Sequence, residues 1–224
     1  MTQMTLSNKM LNNDFTDVMF KRQSVRKFDP EVKISRDELQ AMIKEATSAP
    51  SACNLQSWHF VVADSAAGKA KAKSVMMPFN FPQTESCSAM IFVLGDTKSY
   101  VAYRDVWNQA CEDGRITPEK RDEIFKTFLP MYESASQEFL VKDATIDSSM
   151  AAMQLMLVAR AHGYETNPIA GYAADKVATT FGLEPKRFVP VVAIAIGKAS
   201  ETPIESTRYN APKLTDFCWS LTLF

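Results

Sequence analysis

Glycine is scarce in this chain, seven in 224 residues, and none of the seven falls into a Gly-x-Gly-x-x-Gly or Walker-type arrangement. The usual ways of cradling a dinucleotide or triphosphate on backbone amides are thereby excluded, and a nucleotide-like phosphate would have to be gripped by side chains. Histidine is scarcer still, with only His59 and His162, and the four cysteines (Cys53, Cys87, Cys111, Cys218) include no Cys-x-x-Cys pair. No zinc-type ligand spacing exists, so free, reduced thiols and no structural metal are expected. Charge of one sign is missing too: 25 Lys plus Arg against 26 Asp plus Glu leave a net −1. That balance gives neither nucleic acid nor an acidic membrane a general reason to bind, so any anion site has to be local. No apolar run approaches the ~20 residues needed to cross a bilayer. Met1 to Asp14 are polar and carry no signal-peptide core, and the expected location is the cytoplasm.

What is present suits one sizeable domain over residues 1–224, with no linker-like stretch to divide it. Asp14 to Lys21 reads as a short helix with Phe15, Val18 and Met19 on one side. Ser35 followed by Arg36-Asp37-Glu38 is a capping box, and Leu39, Met42, Ile43 and Ala46 continue an apolar face until Pro50 stops it. Runs at 60–63, 89–94 and 189–196 are short and rich in branched residues, which marks central strands, with Pro190 near a strand start where a missing amide is tolerable. Between Pro118 and Leu140 an aromatic helical pattern is expected to kink or break at Pro130, giving a lid region. Within Asp143 to Gly163, the residues Met150 to Ala159 are apolar on nearly every side apart from Gln154 and predict a helix buried all round, against the sheet, in a subunit interface, or both. The Met-rich stretch Met150 to Met156 reads as packing, and His162 as a residue favourable to the helix dipole and nothing more. The fold class is α+β: helices around a small, mostly antiparallel or mixed sheet.

Two polar segments stand out. Arg22-Gln23-Ser24-Val25-Arg26 places two permanent cations and a hydroxyl at one locus, which suits phosphate oxygens. Pro50-Ser51-Ala52-Cys53-Asn54-Leu55-Gln56-Ser57-Trp58 leaves a helix as a loop and offers Ser, Asn and Gln, which donate and accept as the edge of a heterocyclic ring requires. A short basic stretch alone is more often solvated surface. In this order and separation, however, the two segments resemble the nitroreductase family of flavin mononucleotide (FMN) enzymes.

The resemblance runs from about Phe15 to about Arg208 and extends to further segments. Asn167-Pro168-Ile169-Ala170-Gly171-Tyr172 is similar to the family's loop beside the flavin ring, with the amide of Ala170 in the position that donates to N5 and Ala where many relatives carry Glu. Phe79-Asn80 resembles the ring-contacting Asn segment, with Gln83 nearby. Ser206-Thr207-Arg208 resembles a Lys-x-Arg phosphate clamp weakened by Ser206, for which Lys198 or Lys213 could compensate. The resemblance implies a nitroreductase-like fold and an intertwined homodimer with FMN tightly bound at the interface. One subunit would supply Arg22, Ser24, Arg26, Asn80 and Arg208, and the other Pro50, Ser51 and Asn54, with Gln56, Gln83 and the Pro168, Ile169, Ala170, Gly171 loop completing the set. It implies NADH or NADPH as reductant, hydride passing through N5 by ping-pong kinetics, and nitroaromatics, quinones or related small acceptors. Because the cofactor carries the hydride, no protein catalytic dyad is required. Arg26 would stabilise the reduced ring, and Phe125 or Phe128 would either cover the acceptor or belong to the core. Three alternatives remain in view: a flavin-binding sensor, a specialised relative of dehalogenase type, and a thiol hydrolase built on Cys53 with His59. Trp58 and Phe60 read as core.

Overall fold

A computed structural model describes residues 10–217; Cys218 lies outside them. Four strands, β1 (Trp58–Ala63), β2 (Ala89–Asp96), β3 (Glu165–Ile169) and β4 (Phe188–Gly197), form one antiparallel sheet in the order β1-β2-β4-β3. Along β2, Met90, Phe92 and Leu94 face one side and Ile91 and Val93 the other, and all are buried. That is the two-sided apolar alternation of a strand covered on both faces. One face is covered by α3 (Ala66–Val75) and α8 (Ala174–Thr180), through Ala72, Val75 and Val177. The other carries α2 (Arg36–Ala46) and α7 (Gln137–Ala161), through Met42, Ala152 and Leu155. Gly95 lets α7 approach this closely: a Cβ there would sit 3.0 Å from that of Ala144.

Local chemistry sets the boundaries. Asp14 caps α1 (Phe15–Phe20) by accepting from Thr16 N at 2.9 Å, and Ser35 caps α2 by accepting from Glu38 N at 3.2 Å. Pro168 sits in the edge strand β3, and Pro190 lies in β4 beside a register shift between Val93 and Leu94, so neither takes an amide from a regular ladder. A short α4 (Phe81–Ser86) precedes β2, and α5 (Tyr103–Glu112) and α6 (Pro118–Glu133) form a separate pair over Leu55, Ile124, Leu129 and Tyr132.

Three expectations need correction. Pro130 does not end its helix: α6 runs on to Glu133 and breaks only at Ser134–Ser136, because Pro130 is in the last turn on an exposed face and its carbonyl still accepts from Ser134 N at 3.1 Å. The helix expected from Asp143 begins at Gln137 under a Ser136 cap and is not buried all round in the single chain. Phe139, Ile146 and Met153, spaced by seven, are 42%, 50% and 41% exposed and form one bare stripe. His162 is more than a dipole partner: it is 2% exposed and its Nε2 lies 2.8 Å from Glu45 Oε2, joining α2 to the end of α7. Among the described residues no helix is long and apolar enough to cross a membrane.

Candidate active site

The segment Arg22–Arg26 runs beside β3, with Val25 N donating to Thr166 O at 3.1 Å and Asn167 Nδ2 donating to Val25 O at 2.9 Å. Extended backbone alternates its side chains. Val25 therefore enters the core, while Ser24 and Arg26 line a cleft with Pro82 and Pro203. Glu201 Oε1 accepts from the amides of Arg26 and Lys27 at 3.0 and 3.1 Å and fixes the bend. The guanidinium of Arg26 is aimed by the Phe79 carbonyl, to which Nη2 donates at 2.9 Å. Arg22 Nη1 is buried and has no hydrogen-bond partner among the described residues. Glu165 interacts with Arg22 electrostatically, but a buried cationic donor without a hydrogen bond is costly, so Nη1 favours a further acceptor. α1 ends at Phe20, so the segment follows the negative end of a short helix and its side chains must hold an anion unaided. Beneath it, Arg160 bridges Asp17, at 2.8 Å, and Glu165. Lys21, Asn12 and Arg160 together hold Asp17 down at about 2, whereas burial pushes Glu165 above the usual carboxylate range despite Arg160.

Beside this segment the chain is packed closely at Gly171. Its carbonyl accepts from both Asn80 Nδ2 and Met77 N at 2.9 Å, and a Cβ on it would lie 2.5 Å from Asn80 Nδ2 and 2.9 Å from Phe79 Cζ. Only glycine lets Asn80 and Phe79 approach the backbone this closely. Ala170 beside it is exposed, and Pro168 and Ile169 are held in β3 opposite Ile194 and Ala193. Asn80 is 4% exposed, and Gln83 behind it reaches Asn80 Oδ1 at 3.5 Å while its own Oε1 has no partner among the described residues. Arg208 is exposed and donates to its neighbour's Thr207 carbonyl at 3.0 Å. Lys198 donates to Gly163 O at 2.8 Å, and Lys213 stands over the Tyr209 ring. Residues 204–217 are exposed throughout, including Ile204, Tyr209, Leu214 and Phe217.

The second segment is a strained loop. Pro50 leads into Ser51, and Cys53, Asn54 and Gln56 all take positive φ, 48°, 58° and 52°. Ser51 Oγ accepts from Gln56 N at 3.0 Å across the turn, while Asn54 and Gln56 point outward. Asp147 Oδ1 accepts from Ala52 N at 2.9 Å, and Ser148 Oγ lies 2.9 Å from Ser57 O and 3.1 Å from Leu94 O. Burial pushes the Asp147 carboxyl above its ordinary range. A groove of about 410 Å³ separates the loop from α5 and α6, lined by Asn54, Tyr103, Trp107, Ile124 and Phe128. Phe125 packs instead against Tyr103 under Arg104, as part of the core between α5 and α6. Cys53 lies with Tyr103 and Tyr132, whereas His59 on β1 stacks beside Phe188, 4.7 Å between ring centres; they form no thiol–imidazole dyad.

The structure therefore gathers Arg22, Ser24, Arg26, Asn80, Gln83 and Gly171 along β3, and sets Ser51, Asn54 and Gln56 apart beyond β1, the opposite sheet edge. Asp147 anchors one group and Arg160 the other, about 20 Å apart along α7 at 1.5 Å per residue. Sequence reasoning named Phe79 only as the neighbour of Asn80, and it missed Glu201, Asp147 and Ser148. Glu201 acts on backbone, and Asp147 and Ser148 lie in the polar first half of α7, where nothing local distinguishes them from Asp143 or Ser149.

Known proteins give this arrangement its context. The Nitroreductase family matches residues 19–198. A CLA biosynthesis enone reductase of Lactiplantibacillus plantarum is 60% identical over 208 residues, covering 93% of this chain and 96% of the relative. An oxygen-insensitive NAD(P)H nitroreductase of Salmonella typhimurium is 28% identical, covering 89% and 94%. Among solved structures, the enone reductase CLA-ER, 60% identical, superposes with a TM-score of 0.86 over 92% of this chain and 99% of the other. A protein of Exiguobacterium sibiricum, provisionally named a nitroreductase and solved in complex with FMN, is 41% identical with a TM-score of 0.88 over 92% and 98%. The antiparallel sheet between two helical layers is thus the nitroreductase fold, and the chain belongs to the nitroreductase family of oxidoreductase enzymes.

Proposed function

We propose that this enzyme is an FMN-dependent NAD(P)H oxidoreductase, a single domain working in the cytoplasm as a homodimer. Its acceptors are conjugated and electron-poor, enones ahead of nitroaromatics and quinones. The observation that carries the reading is the buried guanidinium nitrogen of Arg22, which no described residue hydrogen-bonds, in a chain 60% identical to an enone reductase. The residues present fit FMN: the Arg22 cation and the Ser24 hydroxyl for its phosphate, and Arg26 with the Asn80–Gly171 contact for the polar edge of its ring. FMN, when bound, supplies hydride transfer at N5, and one slot serving reductant and acceptor in turn gives ping-pong kinetics.

The chain's own residues bind and orient. Arg22 and Ser24, with Arg208, take the phosphate; Arg26, aimed by Phe79 O, brings positive charge to the ring's polar edge. Asn80 holds the Gly171 carbonyl and so fixes the loop after β3. Ser51 and Asn54 come from a second copy, since within one chain they lie on the far side of the sheet. The bare stripe Phe139, Ile146 and Met153 and the exposed apolar side chains of residues 204–217 support that second copy, because apolar surface of this extent favours burial. The groove under Phe128 opens beside Asn54 and takes the acceptor.

The test is the visible absorption spectrum of the purified protein, followed without oxygen through addition of NADPH or NADH and then benzylideneacetone, a nitroaromatic or a quinone. A bound flavin that bleaches and is reoxidised fastest by the enone is expected. A colourless protein that takes up no added FMN, or a reduced flavin that the enone does not reoxidise, contradicts the reading.

A further inference from the structure

Three residues with side chains occupy the left-handed region within four positions, Cys53, Asn54 and Gln56, and no glycine relieves them. Each is disfavoured for a residue with a side chain, least for Asn, and such backbone persists only where its surroundings over-determine it. Two adjacent residues of α7 grip this loop at both ends, Asp147 at Ala52 N and Ser148 at Ser57 O. Their helix is in turn seated against β2 by the Gly95–Ala144 contact, so the grip is fixed to the most buried strand of the sheet. Asp147 is 0% exposed, and its second oxygen is buried with no partner among the described residues. Burying a carboxyl this way is unfavourable in itself, and a hydrophobic or amide side chain would avoid the cost.

We propose that Asp147 is a positioning residue: with Ser148 beside it, its buried carboxyl holds the left-handed turn in the shape that presents Ser51 and Asn54 to a flavin bound by a second copy. The inference rests on the flavin reading for its consequence, and on the loop geometry alone for the grip. The titratable groups around the carboxyl are Asp143 one turn earlier on α7, Tyr132 on α6 and Cys53 in the loop. None of these is a cation. Burial raises the pKa of Asp147 and Asp143 alike, while the Ala52 amide that Asp147 accepts works against that rise.

The experiment compares full-length Asp147→Ala and Asp147→Asn with wild type by amide hydrogen exchange over residues 52–57 and by FMN titration. Loss of the grip in Asp147→Ala is expected to speed exchange and weaken FMN, each about tenfold, as a lost buried hydrogen bond predicts. Asp147→Asn, whose side-chain oxygen still accepts from Ala52, is expected to restore both. Should Asp147→Ala not fold, Ser148→Ala is expected to speed exchange at the Ser57 end of the loop with Asp147 intact. Wild-type exchange and FMN affinity in Asp147→Ala, or an Asn variant as impaired as the Ala variant, would overturn the proposal. A wild type that binds no FMN would sink the flavin reading, and the exchange data would still decide whether Asp147 holds the loop.

Discussion

Arg22–Arg26 and Ser51–Gln56 are both short polar segments, yet they are built by opposite means. The first is regular extended backbone tied to β3, and its specificity lies in its side chains: one guanidinium aimed by a carbonyl, another left open. The second carries three left-handed residues, and its specificity lies in backbone shape imposed by α7. A phosphate needs charge and directed donors, which side chains on an unstrained strand supply without distortion. A ring face needs a surface at a fixed height, which a clamped turn supplies. On the proposed flavin reading, a chain with few glycines manages both tasks without a glycine-rich loop.

That comparison sharpens under substitution. Arg22→Ala removes charge without touching backbone, so FMN affinity measured by fluorescence titration is expected to fall by up to about a hundredfold, as charge-assisted bonds of ~1.5–3 kcal/mol imply. The melting temperature of the flavin-free protein is expected to change little, because Nη1 has no partner to lose. Gly171→Ala attacks packing instead: its Cβ would press on Asn80 Nδ2 and Phe79, costing about 1–3 kcal/mol in calorimetry. Adding Asn80→Ala to that variant is expected to recover part of the loss; a strictly additive double mutant would deny the contact. A smaller effect is electrostatic. Since burial raises the Asp147 pKa above its ordinary 3.8, the folded protein binds more protons than the unfolded one, and wild type loses this contribution as pH rises through the raised value. The melting temperature of Asp147→Asn relative to wild type is therefore expected to drift upward with pH over that window, and a flat difference would mean that the carboxyl is not perturbed. The smallest change is Phe128→Ala, expected to raise KM for benzylideneacetone a few-fold with NAD(P)H bleaching unchanged, whereas Phe125→Ala loosens the α5–α6 pair and lowers stability.

Much of this was legible in the sequence because it is local. The Ser35 cap, the apolar run of β2 and the placing of Pro190 follow from neighbouring residues alone, whereas Pro168, expected in a loop, lies in β3, a strand too short and polar to announce itself. Arg22, Ser24 and Arg26 were recognisable because two cations and a hydroxyl fall within five residues. The bare stripe on α7 was not, since composition shows that a helix is apolar but not which side its own chain covers. The His162–Glu45 pair and the Asp147–Ala52 bond span 117 and 95 positions, and no periodicity links residues so far apart. The continuation of α6 past Pro130 was missed because proline's cost depends on where in the helix the lost bond would fall.

The central claim is that each site takes one half from each of two copies. Differently tagged Arg22→Glu and Ser51→Trp chains, co-expressed and purified as the mixed dimer, test it most directly by their flavin content. Each variant alone is expected to hold no FMN, while the mixed dimer is expected to hold one, because one of its two sites combines the intact Arg22 of one chain with the intact Ser51 of the other. A mixed dimer as colourless as its parents would contradict the account and place both halves in a single chain.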